Sequence, residues 1–200
     1  MNYLNSKRLF VFLSLAVAAL VIAGYAGVGK QEPEAESAET QDRPIRIEVS
    51  YGFDVKDEEK LVGFSENVFT GRVIEQVGNE EMADPGSEDS GIPQTQFSVE
   101  PLEDIKGETK DTVTVNQQGG SIKQDGDKKK VLIEGDPLLE PGKKYMFVTR
   151  YEENKDWYTI AAQPFGDVKV EDKEKLRKTK EKFEKAKKDQ EDPSKEFSQE

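Results

Sequence analysis

The sequence predicts a mainly β domain that closes into a small barrel, with a short helix, a transmembrane helix before it and a charged helix after it. Three observations indicate this: an uncharged run from Leu9 to Val28, short β-forming segments spread over residues 45–170, and a Lys- and Glu-rich stretch at 171–188. Several short strands separated by turn residues are typical of closed or sandwiched β folds.

The N-terminal run reads LFVFLSLAVAALVIAGYAGV and follows Lys7 and Arg8. A helix of that length spans about 30 Å, the hydrocarbon thickness of a bilayer, and basic flanks favour the cytoplasmic side. Residues 1–30 are therefore expected to anchor a single-pass cell-membrane protein whose remaining residues lie outside the cytoplasm. The alternative is a signal peptide, cleaved after the small-x-small site at Gly24 and Ala26 to release a secreted protein.

Composition limits the available chemistry. The chain has no Cys and no His, which excludes disulfides, thiolate chemistry and cysteine lipidation, and removes the commonest metal ligand. Residues 31–200 carry 26 basic and 41 acidic side chains, and their net charge of −15 argues against binding to phosphate backbones. No nucleophile elbow or phosphate-binding glycine loop is present. We therefore expect no catalytic residues, no cofactor, no metal and no nucleic-acid partner.

The predicted elements follow in chain order. Residues 31–44, rich in Glu, Ser, Ala and Pro, predict a disordered spacer before an extracytoplasmic domain at 45–170. The domain begins with an alternating strand and a short helix that is acidic in its first turn. The expected strands cover 45–49, 67–77, 95–105, 111–116, 131–133, 145–148 and 157–161, with the helix at 57–62 and a long surface loop at 78–94.

Several residues refine these strands. Gly71 indicates a bulge or bend, and Pro101 indicates a sheet edge or another bulge. Pro141 and Gly142 suit a type II turn, and the segment after them, 145–148, is apolar on both faces, which favours a central strand. Residues 154–156 predict a hairpin turn, whereas the stretch between Gly120 and Val131 is polar and basic.

The C-terminal region, 171–200, predicts a charged helix at 171–188 and a disordered tail. Three Glu–Lys pairs have favourable i, i+4 spacing, and three apolar residues form a thin stripe. The stripe favours a helix docked on the barrel by one edge, and the alternative is a helix that binds a partner or forms a coiled coil. The pairs are Glu174–Lys178, Glu181–Lys185 and Glu184–Lys188, and the stripe is Leu176, Phe183 and Ala186.

Two sets of residues are candidate binding sites. The acids of the 78–94 loop, and the short Asp125-Gly126-Asp127 segment, could offer oxygens to calcium, but neither matches an EF-hand, so a solvated loop and a turn are favoured. Four aromatic residues could line a binding face or fill a small β core, and the core is favoured. The loop acids are Glu80, Glu81, Asp84, Glu88 and Asp89, and the aromatic residues are Tyr145, Tyr151, Trp157 and Tyr158.

The order of five segments resembles the bacterial secreted relatives of the tissue-inhibitor-of-metalloprotease and netrin-module OB-folds. These segments are ENVFTGRVIEQV, TQFSVEPLEDIKGE, DTVTVNQQGG, LLEPGKKYMFV and WYTIAA, which together cover roughly residues 57–162. The resemblance implies an OB-like barrel. The eukaryotic inhibitors have disulfides and an N-terminal cysteine that this chain lacks, so protease inhibition does not carry over.

Two functions are compatible with these features. The first is a membrane-tethered extracytoplasmic module that binds a protein or an envelope component. The alternative is a secreted protein with hydrolase or protease-inhibitor activity. A convergent pocket of buried carboxylates would favour the enzyme, and an exposed aromatic surface would favour binding.

Overall fold

The computed structural model describes residues 43–81, 91–124 and 126–194. Its helices and strands, in chain order, are β1 (Ile45–Ile47), α1 (Glu58–Phe64), β2 (Asn67–Glu80), β3 (Gln94–Lys106), β4 (Val113–Gln118), β5 (Gly120–Gln124), β6 (Asp127–Ile133), β7 (Lys144–Glu152), β8 (Trp157–Ile160), β9 (Asp167–Val170) and α2 (Lys173–Lys188). The predicted anchor and nearly all of the predicted spacer lie outside the described residues. Within the described ranges, no helix is both long and apolar enough to cross a bilayer.

Five strands close into a barrel in the order β2-β3-β4-β8-β7, and pairing of β7 with β2 completes the circle. Neighbouring strands are antiparallel except β4 and β8, which run parallel with Val115 opposite Tyr158. Strand β9 pairs with the first half of β7, and β1, β6 and β5 form a separate three-stranded sheet. The prediction of a mainly β domain built on a closed barrel is confirmed.

Strand β7 contributes to two apolar clusters. Tyr145 and Phe147 point into the barrel interior with residues of the other barrel strands. Met146 and Val148 point to the opposite side, into a cluster that includes Phe183 of α2. Both sides of this strand are therefore buried, as predicted for a central strand, because the helices cover the side that the barrel does not.

The bulges predicted at Gly71 and Pro101 are present at one place. The pairing of β2 with β3 steps from Thr70–Glu103 to Gly71–Pro101, which leaves one extra residue in β3. A Cβ at Gly71 would lie 2.7 Å from Val99 Cγ1, so only glycine permits this close approach. Strand β4 pairs with β3 only as far as Val99. Pro101 therefore lies on an open sheet edge, where the backbone N–H that proline lacks is not needed for pairing with β4.

The two predicted turns are also found. Lys143 N donates to Glu140 O over 3.1 Å and Gly142 has a φ of +80°, as a type II turn requires. The 154–156 turn joins β7 to β8 in a hairpin, and Asp156 adopts a φ of +54° within it.

One loop prediction is wrong, and one hairpin was not predicted. The loop at 78–94 is shorter than predicted, because β2 continues to Glu80 and β3 begins at Gln94. The polar, basic stretch before Val131 is a hairpin in which β5 pairs with β6 from Gly120–Val131 to Gln124–Asp127. Backbone hydrogen bonds hold this hairpin together, and its lysines lie at the surface. Its sequence therefore lacks the alternation of apolar residues over most of its length.

Helix α1 begins after Asp57, whose side chain accepts hydrogen bonds from Glu59 N and Lys60 N. Its buried residues, Leu61 and Val62, pack in the same cluster as Phe183 and Ala186 of α2. The prediction that α2 docks on the domain by one edge agrees with this packing.

The charge pairs and the end of α2 differ in part from prediction. Glu174 pairs with Lys178 at 2.8 Å as predicted. Glu181 pairs with Arg177 at 2.7 Å and not with Lys185. The guanidinium of Arg177 offers a carboxylate two parallel donors, which an ammonium does not. The Glu184–Lys188 pair is not formed among the described residues. Residues 189–194, predicted to be disordered, instead lie along α1, where Glu191 N donates to the carbonyl of Glu59.

Candidate functional site

The outer face of β3, β4 and β8 carries rows of polar side chains around a single indole. Strand alternation produces this face, because Phe97, Val115 and Tyr158 point into the barrel and the residues next to them in each strand point outward. The pairing register then aligns these neighbours across three strands. We call this surface the Trp157 face, and its residues are Gln94, Gln96, Ser98, Thr114, Asn116, Trp157 and Thr159.

A ladder of hydrogen bonds fixes the Trp157 face. Gln96 Nε2 donates to Asn116 Oδ1 over 2.9 Å, and Asn116 Nδ2 donates to Thr159 Oγ1 over 3.2 Å and to the side-chain oxygen of Gln94. Gln96 and Asn116 are buried, whereas Gln94 and Thr159 are half-buried. The inner amides therefore hold the outer polar groups in place before any ligand arrives.

Trp157 is half-buried at the end of the face next to the β7–β8 turn. Lys155 Nζ lies 4.8 Å from the centroid of the indole ring and 3.0 Å from the carboxylate of Glu80. Both charged side chains are about half exposed, and such surface pairs contribute at most about 1 kcal/mol. A ligand could therefore displace Lys155 from the ring at low cost.

The four aromatic candidates do not form one surface. Tyr145 and Tyr158 are each 5% exposed inside the barrel, where the favoured core role is confirmed. Tyr151 packs against Tyr158 at 5.0 Å between ring centroids, and its hydroxyl donates to Asp156 Oδ1 over 2.6 Å. Trp157 alone of the four belongs to the outer face.

A second polar cluster closes one end of the barrel. It contains Gln117 at the end of β4, Asp136 in the loop after β6, Gln163 after β8, and Asp167 at the start of β9. We call it the carboxyl–amide cluster. Gln117 Nε2 lies 3.2 Å from Asp136 Oδ2 and 3.4 Å from Asp167 Oδ2, and the Gln163 amide also donates to Asp136 Oδ2.

Burial dominates the electrostatics of this cluster. Desolvation raises the pKa of Asp167 well above its usual range, and the neighbouring charge of Asp136 raises that pKa further. Desolvation also raises the pKa of Asp136, while hydrogen bonds from Gln163 and Gln117 act in the opposite direction. Asp136 is 5% exposed and Asp167 is 9% exposed, so this pair can hold a proton but does not face a substrate.

The carboxyl–amide cluster was missed by sequence reasoning. One signal for it was present, because Gln117 follows Val113 and Val115 on the inward side of β4, where an apolar residue is expected. Asp136 and Asp167 carry no such signal, since each is an acid beside a Gly or Pro in a turn-like context.

The calcium candidates are dispersed among the described residues. Glu80 pairs with Lys155, and Glu81 Oε1 accepts from Lys123 N over 3.0 Å. Asp127 begins β6 after a turn at Gly126, whose φ is +88°. Asp84, Glu88, Asp89 and Asp125 lie outside the described residues. Within the described part of the chain, no three acids lie close enough together to hold a metal ion.

No family model matches the chain, and no curated protein has a significantly similar sequence.

Proposed function

We propose that the chain is a membrane-tethered extracytoplasmic binding module, and that its Trp157 face binds a neutral, hydroxyl-rich glycan of the cell envelope. The observation that carries this proposal is a half-buried indole beside hydroxyl and amide groups that are already held in place by hydrogen bonds.

The order of the barrel strands supports an OB class for this domain. Numbered along the chain, the five barrel strands follow the order first-second-third-fifth-fourth, with the third and fifth parallel. This is the order of OB barrels, in which the face of the second and third strands and the adjoining loops bind oligonucleotides or oligosaccharides. Here those two strands are β3 and β4, which supply most of the Trp157 face.

Charge favours the saccharide over the nucleic acid. The chain has a net charge of −12, and a negatively charged body repels a phosphate backbone. At the rim of the face, the one lysine beside the indole is already paired with Glu80. The half-buried Gln94, Thr114 and Thr159 offer uncharged donors and acceptors, which suit the hydroxyl groups of a sugar, while the indole can pack against the apolar side of a sugar ring.

The expected location agrees with such a ligand. An anchor at residues 9–28 with a spacer at 31–44 would keep the domain within a few nanometres of the outer side of the membrane. Envelope glycans lie in that space.

Co-sedimentation with purified, insoluble cell-wall glycan tests the proposal, using the full-length chain in mild detergent. Trp157→Ala is expected to weaken binding roughly fivefold, since loss of an aromatic contact costs on the order of 1 kcal/mol. Ile74→Ala is the control, because Ile74 is an apolar residue of β2 that is 47% exposed and lies outside the face.

Equal binding by the wild type and Trp157→Ala would contradict the assignment of this face. Failure of the wild type to sediment with the glycan would contradict a glycan ligand and would favour a protein partner. Release of soluble sugars from the glycan would instead favour the hydrolase alternative.

A further inference from the structure

We propose that the carboxyl–amide cluster is a proton-dependent clamp: one proton shared by Asp136 and Asp167 holds the 134–139 loop and β9 on the end of the barrel, and loss of that proton loosens both.

The two buried carboxyl groups have too few donors around them for two negative charges. One amide group, Nε2 of Gln117, serves an oxygen of each carboxyl group, and Gln163 adds a second amide to Asp136 alone. Neutral amides do not compensate two negative charges that are buried side by side. Asp167 Oδ1 is buried with no hydrogen-bond partner among the described residues. A proton on Asp167, donated to Asp136, removes one charge and makes a hydrogen bond between the two carboxyl groups.

The groups around the pair supply no positive charge. Tyr51 packs near Asp136, and its hydroxyl donates to the carbonyl of Gln163 over 3.1 Å. Tyr145 faces Asp167 from β7. Burial raises the pKa of both tyrosines, so both stay neutral over the range in which the acids titrate. No lysine or arginine of the described residues acts on either carboxyl group.

The side chains of Gln117 and Gln163 also bond to backbone groups around the carboxyl pair. Gln117 Oε1 accepts from Leu139 N over 2.9 Å, and Gln117 Nε2 also donates to Pro137 O over 3.1 Å. The side chain of Gln163 makes two bonds to the backbone of Gln118, at 2.7 and 3.0 Å. The amides that bind the carboxyl pair therefore also tie the loop and the strand ends together. Repulsion within the pair would strain all of these bonds at once.

The direction of the pH effect follows from the raised pKa values of both acids. Between the ordinary titration range of Asp and the raised range of the pair, the closed state holds one proton more than the open state. The clamp is therefore fully closed at acidic pH and loosens as the pH rises through the range of the pair. The opening equilibrium constant is expected to increase by up to tenfold per pH unit there.

Hydrogen exchange of the full-length chain in mild detergent tests the clamp, with rates corrected for intrinsic exchange. Amides of residues 134–139 and 163–170 are expected to open increasingly with pH in the wild type. Asp167→Asn is expected to weaken this dependence strongly, because its amide donates to Asp136 at every pH and only the desolvation of Asp136 remains. Asp127→Asn makes the same charge change at an exposed site in β6 and is expected to keep the dependence.

A wild type whose opening does not change with pH would overturn the clamp, as would an Asp167→Asn variant that keeps the full dependence. Infrared spectroscopy of the wild type is a second test of the clamp, and it needs no variant. The clamp requires the carbonyl band of a protonated carboxyl group at a pH above the ordinary titration range of Asp, where exposed carboxyl groups are ionised, and absence of that band would also overturn it.

Discussion

Gln117→Leu removes the side chain that connects the loop after β6 to the end of the barrel. Leucine is similar in size, so the change tests hydrogen bonding rather than volume. Gln117 is fully buried, and its amide makes four contacts at 2.9 to 3.4 Å, with Leu139 N, Pro137 O and the two carboxyl groups.

The expected loss is large for one side chain. A buried hydrogen bond contributes about 1 kcal/mol net, and a partner left buried and unpaired costs roughly 1–3 kcal/mol. Leu139 N–H and the Pro137 carbonyl each lose this partner. We expect the free energy of unfolding to fall by roughly 3–5 kcal/mol, a large fraction of the 5–15 kcal/mol typical of a domain.

Urea unfolding of the full-length chain in mild detergent, monitored by circular dichroism, measures this change. Gln118→Leu is the matched control, because its half-buried side chain makes no hydrogen bond among the described residues and its contacts with Gln163 use the backbone. A loss below about 1 kcal/mol for Gln117→Leu, or equal losses for the two variants, would refute the role assigned to this amide.

Three further predictions concern the barrel and the helices. Gly71→Ala places a Cβ 2.7 Å from Val99 Cγ1 and 3.1 Å from Phe147 Cε2, and is expected to cost about 1–3 kcal/mol in thermal unfolding; an unchanged midpoint would contradict the close approach. Phe183→Ala, at a site 3% exposed, is expected to cost about 3–5 kcal/mol and to make α2 susceptible to protease, whereas continued protection would show that α2 docks without it. Asp57→Ala removes the N-cap of α1 and is expected to cost about 0.5–2 kcal/mol in urea unfolding, with Asp57→Asn retaining most of that stability.

The parts of the fold that the sequence predicts correctly are those with strong local patterns. The alternation of β4, the doubly apolar segment of β7 and the turn at Gly142 each depend on a few consecutive residues. Gly71 and Pro101 marked the bulge because their backbones are unusual in any strand. Such signals need no knowledge of the partner strand.

The parts that it misses depend on distant partners. The β5–β6 hairpin is stabilised by backbone pairing and carries exposed lysines, so it lacks an apolar period. In the carboxyl–amide cluster, Gln117 bonds with residues 19 to 50 positions away, and only the closed barrel brings them together. The Trp157 face required the register of three strands. A single sequence gives the alternation of each strand but not this alignment.

The fluorescence of Trp157 tests the proposed binding site most directly, because this is the only tryptophan of the chain and its emission reports on one place. Selective excitation of tryptophan during titration with soluble cell-wall glycan fragments is expected to give a saturable change in emission, since a sugar ring on the indole would replace water and Lys155. Gln96→Leu, which removes the amide ladder beside the indole, is expected to weaken the affinity. Saturable binding of the same fragments by an independent method, with no change in Trp157 emission, would contradict the account.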